Sequence, residues 1–217
     1  MTSAIVLVSG GLDSCVAAAI AAARGEVAFL HLNYRQRTEG RELQAFGAIA
    51  DHYRVQRRLV VDVSFLQQIG GSSLIDPGLP VPEGETEGVP STYVPFRNAN
   101  LLGIGVAWAE VLGADRVYIG AHEEESQYPD CRAGFFAAYN QMIALGTRPG
   151  SGIRVETPLI ALDKGAIVRR GAELGAPLHL TWSCYQREDR ACGRCHSCRL
   201  RLEGFARAGL TDPIPYC

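Results

Sequence analysis

The stretch Ser9-Gly10-Gly11-Leu12-Asp13-Ser14 follows a short apolar run, Ala4 to Val8, and leads into an alanine-rich segment that closes at Gly25. This order predicts a strand, a loop and a helix. Two adjacent glycines let the backbone approach an anion closely, and the N–H groups at a helix start attract phosphate. The Ser9 and Ser14 hydroxyls add donors to the same loop. The stretch therefore predicts a phosphate cradle, with an ordinary strand-to-helix turn as the alternative.

Two other nucleotide loops are excluded, because neither Gly-x-x-x-x-Gly-Lys-Ser/Thr nor Gly-x-Gly-x-x-Gly follows the first strand. The six residues instead resemble the signature of the pyrophosphate-loop ATPases, which include GMP synthetase, NAD synthetase and tRNA-thiolating enzymes. That resemblance implies attack on the α-phosphate of ATP, with the loop holding the departing pyrophosphate and Asp13 positioning Mg²⁺ or the loop itself. The residues expected to bind ATP with Mg²⁺ are Val8, Ser9, Gly10, Gly11, Leu12, Asp13, Ser14 and Cys15.

Strand-like and helix-like segments alternate along the rest of the chain. Strands are predicted at 26–32, 57–63, 116–119 and around Val155, and helices at 39–52, 98–112, 133–145 and 164–174. The alternation predicts an α/β fold with a doubly wound, mostly parallel sheet. The resemblance of the loop implies the Rossmann-like, adenine nucleotide alpha hydrolase-like form of that fold. Two loops, 64–95 and 123–132, are expected to be functional, the second because it follows the C-terminal end of a strand.

Four of the seven cysteines stand in one short polar segment, 183–199. They are Cys184, Cys192, Cys195 and Cys198. Four sulfurs in a tetrahedron suit Zn²⁺, and a site with no open position is usually structural. Two disulfides are one alternative, and His179 or His196 in place of one sulfur is another. Of the remaining cysteines, Cys15 on the first helix also fits a small buried residue.

The composition favours one domain with a small appendage, since 217 residues with 47% hydrophobic positions suit a single core. We divide the chain into an ATP-binding α/β domain, 1–178, and a zinc-binding segment packed on it, 179–217. A net charge of -2 gives no general reason to bind a polyanion, so we expect small-molecule partners and no direct nucleic acid. No stretch of the sequence is long and apolar enough to suggest a membrane-spanning helix. A homodimer is expected because such folds commonly dimerise.

The N-terminal residues also bear on the compartment. They show no basic stretch, and their apolar run stops at Val8, which is short for a signal peptide. Clustered cysteines without such a signal favour a reducing compartment, because free thiols there bind metal more often than they form disulfides. We therefore expect a cytoplasmic protein.

Loop and cysteines together resemble the 7-cyano-7-deazaguanine synthase family of the queuosine pathway along nearly the whole chain. The stretches that show the resemblance are Ser9–Ser14, Tyr34 with Gln36-Arg37, Tyr93–Asn98, Tyr128–Arg132, Thr181–Tyr185, Cys192–Cys198, Gly204-Phe205 and Asp212-Pro213. The resemblance implies an ATP-dependent carbon–nitrogen ligase with one structural zinc. Its substrates would be 7-carboxy-7-deazaguanine, ammonia and ATP, and its product 7-cyano-7-deazaguanine, formed through adenylylated intermediates and an amide.

Several polar residues outside the loop are candidates for the site. Arg97 and Arg132 offer paired N–H donors for the substrate carboxylate or for phosphate. The alternative is that these arginines are solvated or form salt bridges. Asp130 offers hydrogen-bond acceptors for the edge of a guanine-like base. The alternative is that it caps a turn after the preceding proline. Lys164 is a candidate phosphate ligand, with an ordinary surface lysine as the alternative. Tyr128 is a candidate stacking surface for a ring, with simple packing as the alternative. We expect Asp13, Arg97 and Lys164 to be catalytic, and Arg97, Tyr128, Asp130 and Arg132 to bind substrate.

Three other functions are compatible with parts of the pattern. A tRNA thiolase of the same loop class would need a reactive cysteine pair and a basic RNA-binding region, which the acidic balance and single domain disfavour. A conjugating enzyme would keep the same substrate but transfer the activated carboxylate to a protein amine, and the sequence leaves this open. A non-catalytic zinc-ribbon binding module would have no use for an intact nucleotide loop.

Overall fold

The computed structural model describes residues 3–83, 87–123 and 127–217 of the chain, so parts of the predicted loops 64–95 and 123–132 lie outside the described residues. A five-stranded sheet forms its centre, in the order β3-β2-β1-β4-β5, with every neighbouring pair parallel. The strands are β1 Ala4–Leu7, β2 Val27–Asn33, β3 Arg58–Asp62, β4 Arg116–Tyr118 and β5 Arg154–Glu156. The predicted doubly wound α/β fold is confirmed.

Seven α-helices accompany the sheet in the described residues. They are α1 Leu12–Ala22, α2 Glu39–His52, α3 Phe65–Ile69, α4 Arg97–Leu112, α5 Ala133–Gly146, α6 Lys164–Glu173 and α7 His196–Ala208. Short 3₁₀ turns occupy Pro129–Cys131 and Leu178–Leu180. Gly113 ends α4 in the left-handed conformation, with φ 68°, as expected of a glycine C-cap. No helix among the described residues has both the length and the apolar character needed to cross a membrane.

The central strand β1 shows how the two faces of the sheet are covered. Its side chains alternate between the faces, as a strand requires. Ile5 and Leu7 join a buried cluster with residues of α4 and α5, whereas Ala4 and Val6 join a second cluster with residues of α1 and α2. The chain proceeds from β1 to β2 on one side and reaches β4 on the other, so the strand order reverses at β1. Open parallel sheets bind ligands beyond the carboxyl ends of the strands at such a point.

Two helices were not predicted. The first, α3, is a single short helix at the start of the 64–95 loop. The second, α7, begins inside the cysteine segment, where no helix was predicted. Its buried residues Cys198, Arg201, Gly204 and Phe205 recur at intervals of three or one, which places them on one face of a helix. The thiol spacing masked this helical pattern.

The C-terminal segment packs closely on the α/β unit. Phe205 of α7 lies in a buried cluster with Val16 of α1 and Ile167 of α6. The backbone N–H of Trp182 donates to the carbonyl oxygen of Gly10 at 2.8 Å, which joins this segment directly to the glycine loop. The segment 179–217 is therefore part of the structure that supports the loop.

Candidate functional site

The glycine loop joins β1 to α1 at the point where the strand order reverses. Gly10 has a φ of 91°, a left-handed conformation that favours glycine. The hydroxyl of Ser9 donates to Ser14 Oγ at 3.1 Å, and Ser14 Oγ donates to the Gly11 carbonyl at 2.9 Å, so side chains of the loop fix its own shape. The first N–H groups of α1 have no partner inside the helix and are available to an anion. This geometry is compatible with the predicted phosphate cradle.

Asp13 and Lys164, predicted to be catalytic, form an ion pair although they are 151 residues apart. Lys164 Nζ lies 2.8 Å from each carboxylate oxygen of Asp13 and 3.2 Å from His122 Nε2. Burial by itself raises the pKa of Asp13, but the charges of Lys164 and His122 outweigh burial and lower it. Lys164 is 7% exposed, so the alternative that it is an ordinary surface lysine is wrong. Gly204 makes room for it, because a Cβ there would collide with Lys164 Cγ.

A cavity of about 270 Å³ extends from the glycine loop across the carboxyl ends of the strands. Ser9, Gly11, Asp13 and Lys164 line one part of it. Its wall also includes an arginine, several aromatic rings and a second carboxyl group: Tyr34, Glu42, Arg97, Tyr128, Trp182 and Tyr185. A phosphate loop and a ring-lined pocket in one cavity suit two ligands, a nucleotide and a planar base.

Arg97 opens α4 directly after Phe96, which has a left-handed φ of 54°. Its Nη1 donates to the Tyr34 hydroxyl at 3.1 Å, and its buried Nε has no hydrogen-bond partner. Burial lowers the pKa of Arg97, but neighbouring phenol and carboxyl groups raise it by more than burial lowers it. The guanidinium therefore stays charged. A charged, partly unsatisfied guanidinium on a cavity wall is a suitable ligand for an anion.

Tyr128 also lines the cavity, as its predicted stacking role requires. Its hydroxyl lies 2.8 Å from Thr92 Oγ1, and its ring centroid is 5.7 Å from that of Tyr93. These contacts hold the ring in place before any ligand enters. The adjoining residues 124–126, part of the predicted polar loop, lie outside the described residues.

The structure does not bring Asp130 and Arg132 to the cavity wall. Asp130 is 2% exposed, and its Oδ2 accepts a hydrogen bond from the Asn98 backbone N–H at 2.8 Å, so it caps the start of α4 behind Arg97. Burial raises the pKa of Asp130. The Arg132 side chain is 57% exposed and lies 3.8 Å from Glu123. Cys15 is fully buried in the core, where burial raises its pKa to about 12, and it is not among the residues that line the cavity.

The cavity-wall residues that were missed include Glu42, His122, Trp182 and Tyr185. His122 follows β4, and a polar residue just beyond the carboxyl end of a strand was an available signal. Glu42 sits in the first turn of α2, where an acidic residue is common for helix-dipole reasons alone, so no signal distinguished it.

The four clustered cysteines form a second, separate centre. All four are buried, and their sulfur atoms lie within 4.8 Å of one another. Tetrahedral Zn²⁺ with Zn–S of about 2.3 Å needs sulfurs about 3.8 Å apart, so a small contraction would close the set around an ion. Backbone N–H groups of Cys192 and Gln186 donate to Cys184 Sγ at 3.4 Å each, which stabilises thiolate charge. The predicted four-cysteine metal site is confirmed as an arrangement of donors.

The alternatives for this centre do not match the structure. None of the seven cysteines, all of which the structure describes, forms a disulfide, and Cys192 Sγ is 3.9 Å from Cys198 Sγ, well beyond a disulfide bond length of about 2.05 Å. His196 lines the nucleotide cavity, and His179 is exposed, so neither replaces a sulfur.

Comparison with known proteins agrees with this geometry. A family model described as "Queuosine biosynthesis protein QueC" matches residues 3–209. Proteins named 7-cyano-7-deazaguanine synthase from Chlorobium phaeobacteroides (strain DSM 266) and Chlorobaculum tepidum are each 54% identical over 217 residues, covering 98% of this chain and 96% of each relative.

A solved structure also matches, at the level of the fold. NMN synthetase from Francisella tularensis superposes with a TM-score of 0.53 at 15% identity, covering 96% of this chain and 78% of that chain. Identity this low supports a shared architecture only. The family match and the two relatives, by contrast, extend along the whole α/β unit and the cysteine centre, and this chain belongs to the QueC family of queuosine biosynthesis proteins.

Proposed function

We infer that this chain is an ATP-dependent ligase that converts 7-carboxy-7-deazaguanine and ammonia to 7-cyano-7-deazaguanine. The observation that carries this inference is the 54% identity, over nearly the full length of both chains, to proteins named 7-cyano-7-deazaguanine synthase. The cavity supports it independently, because one part is a phosphate loop and another is lined by aromatic rings and an arginine.

The first step is activation of the substrate carboxylate. Its oxygen attacks the α-phosphate of ATP, a bond forms between that oxygen and phosphorus, and pyrophosphate leaves toward the glycine loop. The helix N-terminus and Lys164 neutralise the charge that builds up on the departing pyrophosphate. Asp13 suits the accompanying Mg²⁺, because its carboxylate is ionised and opens onto the cavity.

Orientation of the base is the task of the opposite wall. We assign the substrate carboxylate to Arg97, whose guanidinium is charged, faces the cavity and has an unused donor. The ring of Tyr128, fixed by Thr92, is placed to stack on the deazaguanine. Asp130 acts through Arg97, since it anchors the turn from which the arginine projects. Arg132 receives no role in this arrangement.

Ammonia then displaces AMP from the acyl adenylate and leaves an amide. The amide oxygen then attacks the α-phosphate of a second ATP and pyrophosphate leaves. Loss of that oxygen with AMP, together with the two protons of the amide nitrogen, gives the nitrile. These steps need positioning and charge neutralisation, with no covalent protein nucleophile.

The remaining assignments follow from the same cavity and from the cysteine centre. Zinc held by the four thiolates would have no open coordination position and would therefore serve structure. We propose small-molecule partners with no direct nucleic acid, a reducing cytoplasmic compartment in keeping with seven cysteines that form no disulfide, and a homodimer. The exposed apolar side chains Val111, Met142 and Leu145 on α4 and α5 support self-association, which light scattering measures directly.

Mass spectrometry of the products tests the proposed function. Purified protein is incubated with ATP, Mg²⁺, ammonium and 7-carboxy-7-deazaguanine, with Lys164→Met as the matched control. The nitrile is expected from the wild type and a loss of at least roughly 100-fold in rate from the control, because the phosphate charge is no longer neutralised. A product that stops at the amide, or a mass shift on a protein amine, would replace this function with the corresponding alternative.

Label at the α-phosphate of ATP tests the bond that breaks. It should appear first on the deazaguanine when ammonia is omitted and then in AMP when ammonia is added. Label recovered only in ADP would mean γ-phosphoryl transfer and would exclude adenylylation, even if the nitrile is still made.

A further inference from the structure

Glu42 is a carboxyl group on the cavity wall to which the steps above give no task. It lies in the first turn of α2, half-buried, and its side chain is held at both oxygens. Thr38 Oγ1 donates to Oε1 at 2.9 Å, and Gln36 Nε2 donates to Oε2 at 3.0 Å. Gln36 is itself fixed, because its Oε1 accepts the Tyr34 N–H at 2.9 Å. The carboxyl group therefore has a set orientation in the empty cavity.

This turn of α2 also touches the glycine loop. A Cβ at Gly10 would lie 2.5 Å from the Glu42 backbone oxygen, so only a glycine allows so close an approach. The loop determines where the adenylylated carboxyl group forms. The backbone of Glu42 is thus in contact with the glycine loop, which positions the reacting carbon.

The hydrogen bonds around Glu42 suit both of its protonation states. The Thr38 hydroxyl has one proton but lies within hydrogen-bonding distance of two acceptors, Glu42 Oε1 at 2.9 Å and the Cys184 carbonyl at 3.1 Å. When Glu42 is ionised, Thr38 donates to it. When Glu42 holds a proton, it can donate to Thr38, whose own proton turns to the Cys184 carbonyl. In both states the Glu42 Oε1 atom and the Thr38 hydroxyl keep a hydrogen-bond partner.

The electrostatic surroundings place the change of state near neutral pH. Burial raises the pKa of Glu42 to about 7, against the lowering effect of the hydrogen bonds from Thr38 and Gln36. Two charged groups face it: Arg97 on α4 lowers the pKa further, and Glu39 on the same helix raises it. Among the residues that the structure describes, no side-chain cation forms an ion pair with Glu42 within 4.0 Å, whereas Asp13, the other acidic residue on the cavity wall, is paired with Lys164. Glu42 is therefore the carboxyl group available to accept a proton.

Amide formation requires such a group. The lone pair of NH₃ forms the C–N bond, the bond between the acyl carbon and the phosphate oxygen breaks, and its electron pair leaves with AMP. The nitrogen then carries one proton too many, which must go to a base. We propose that Glu42 accepts the proton from the ammonia nucleophile at this step and returns it to water. This assignment rests on the proposed function.

The test separates activation from amide formation. Glu42→Gln keeps the shape of the side chain and removes the proton acceptor. Pyrophosphate release in a single turnover without ammonia should stay within about threefold of wild type, which also shows that the variant folds and binds both substrates. Amide formation should fall by roughly 10²- to 10⁴-fold, the usual contribution of general base catalysis. Glu39→Gln, an acidic neighbour whose carboxylate bonds the Arg35 N–H, is the matched control and should match wild type within about twofold.

The pH profile gives a readout that a purely structural role would not change. With the rate expressed per concentration of free NH₃, amide formation by the wild type should rise as pH increases through about 7, because only ionised Glu42 accepts a proton. Glu42→Gln should lack this rise. The substitution should also lower the reaction rate less with a weakly basic nucleophile such as hydroxylamine than with ammonia.

Each other outcome is decisive. Equal loss of pyrophosphate release and amide formation in Glu42→Gln would mean that Glu42 holds substrate, and an unchanged rise with pH would mean that another group takes the proton. Either result overturns the assignment while leaving the ligase intact. A wild type that releases no pyrophosphate with 7-carboxy-7-deazaguanine would instead refute the proposed function.

Discussion

Gly10 and Gly11 stand next to each other in the glycine loop, yet the structure gives each a different reason to lack a side chain. Gly10 has a left-handed φ of 91°, and a Cβ there would meet the Glu42 backbone oxygen at 2.5 Å. Gly11 has a φ of −79°, which any residue adopts, and a Cβ there would lie 3.3 Å from the Ser9 hydroxyl. The fold therefore depends on Gly10, and the free space of the loop depends on Gly11.

Alanine at the two positions should separate stability from activity. Gly10→Ala combines about 1–2 kcal/mol of left-handed strain with a backbone collision, so we expect a total loss of about 2–4 kcal/mol. A loss of that size lowers the Tm by roughly 5–15 °C in a chain of this length. Gly11→Ala should keep the Tm within about 3 °C yet lower kcat/KM for ATP roughly tenfold, since its methyl group narrows the phosphate site. Thermal melts and pyrophosphate release measure both effects; equal melting temperatures would contradict this division.

Individual residues of the site were predictable where local sequence sets their geometry. Asp13 belongs to a loop whose order of glycines and serines is distinctive, and the structure pairs it with Lys164. Asp130 was not predictable, because a Pro-Asp pair looks the same whether it caps a helix or faces a ligand. Glu42 could not be selected either, since its environment is assembled from α4, the residues just before α2 and the cysteine segment.

At the level of elements, α7 links the metal centre, the C-terminal tail and the α/β unit. Arg201, on its buried face, donates to Asp212 from Nε at 2.7 Å and from Nη2 at 3.0 Å, and its Nη1 donates to Thr181 Oγ1 at 2.7 Å. Both partners of this ion pair are nearly inaccessible, with side chains 2% and 3% exposed. A bidentate, fully buried arginine fixes the tail against the segment that carries Trp182.

Removing Arg201 should therefore destabilise the protein strongly. Arg201→Met leaves the Asp212 carboxylate buried without its partner, which costs about 3–5 kcal/mol. Arg170→Met on α6 is the control, because the Arg170–Glu173 pair is exposed and such pairs contribute less than about 1 kcal/mol. Urea denaturation of both variants measures the difference. Similar free energies of unfolding for the two would show that the buried pair adds nothing beyond a surface pair.

For the whole molecule, the switch in strand order at β1 explains why distant segments meet at one site. The sequence predicted the first four strands to within about one residue at each end and placed a fifth around Val155 without giving its ends, because buried parallel strands between helices have a clear apolar pattern. It did not predict the strand order or the contact of the C-terminal segment with the glycine loop. Those depend on packing between segments far apart in sequence, such as the 2.8 Å bond from Trp182 N–H to the Gly10 carbonyl.

That contact makes the cysteine centre a determinant of both stability and nucleotide binding. Metal-binding free energy at a site of four thiolates is also folding free energy, so the purified protein should contain one zinc per chain and lose at least about 10 °C in Tm when a strong chelator removes it. Cys195→Ser should have the same effect, whereas Cys217→Ser, at an exposed cysteine outside the cluster, should not. Because Trp182 bonds the Gly10 carbonyl only two residues before Cys184, loosening this centre should also raise the KM for ATP. Metal analysis, thermal melts and ATP titration on the same samples test the three claims together. Protein that contains no zinc when purified under reducing conditions, or that melts unchanged in the chelator, would refute the metal site; a lowered Tm with an unchanged KM for ATP would refute its coupling to the loop.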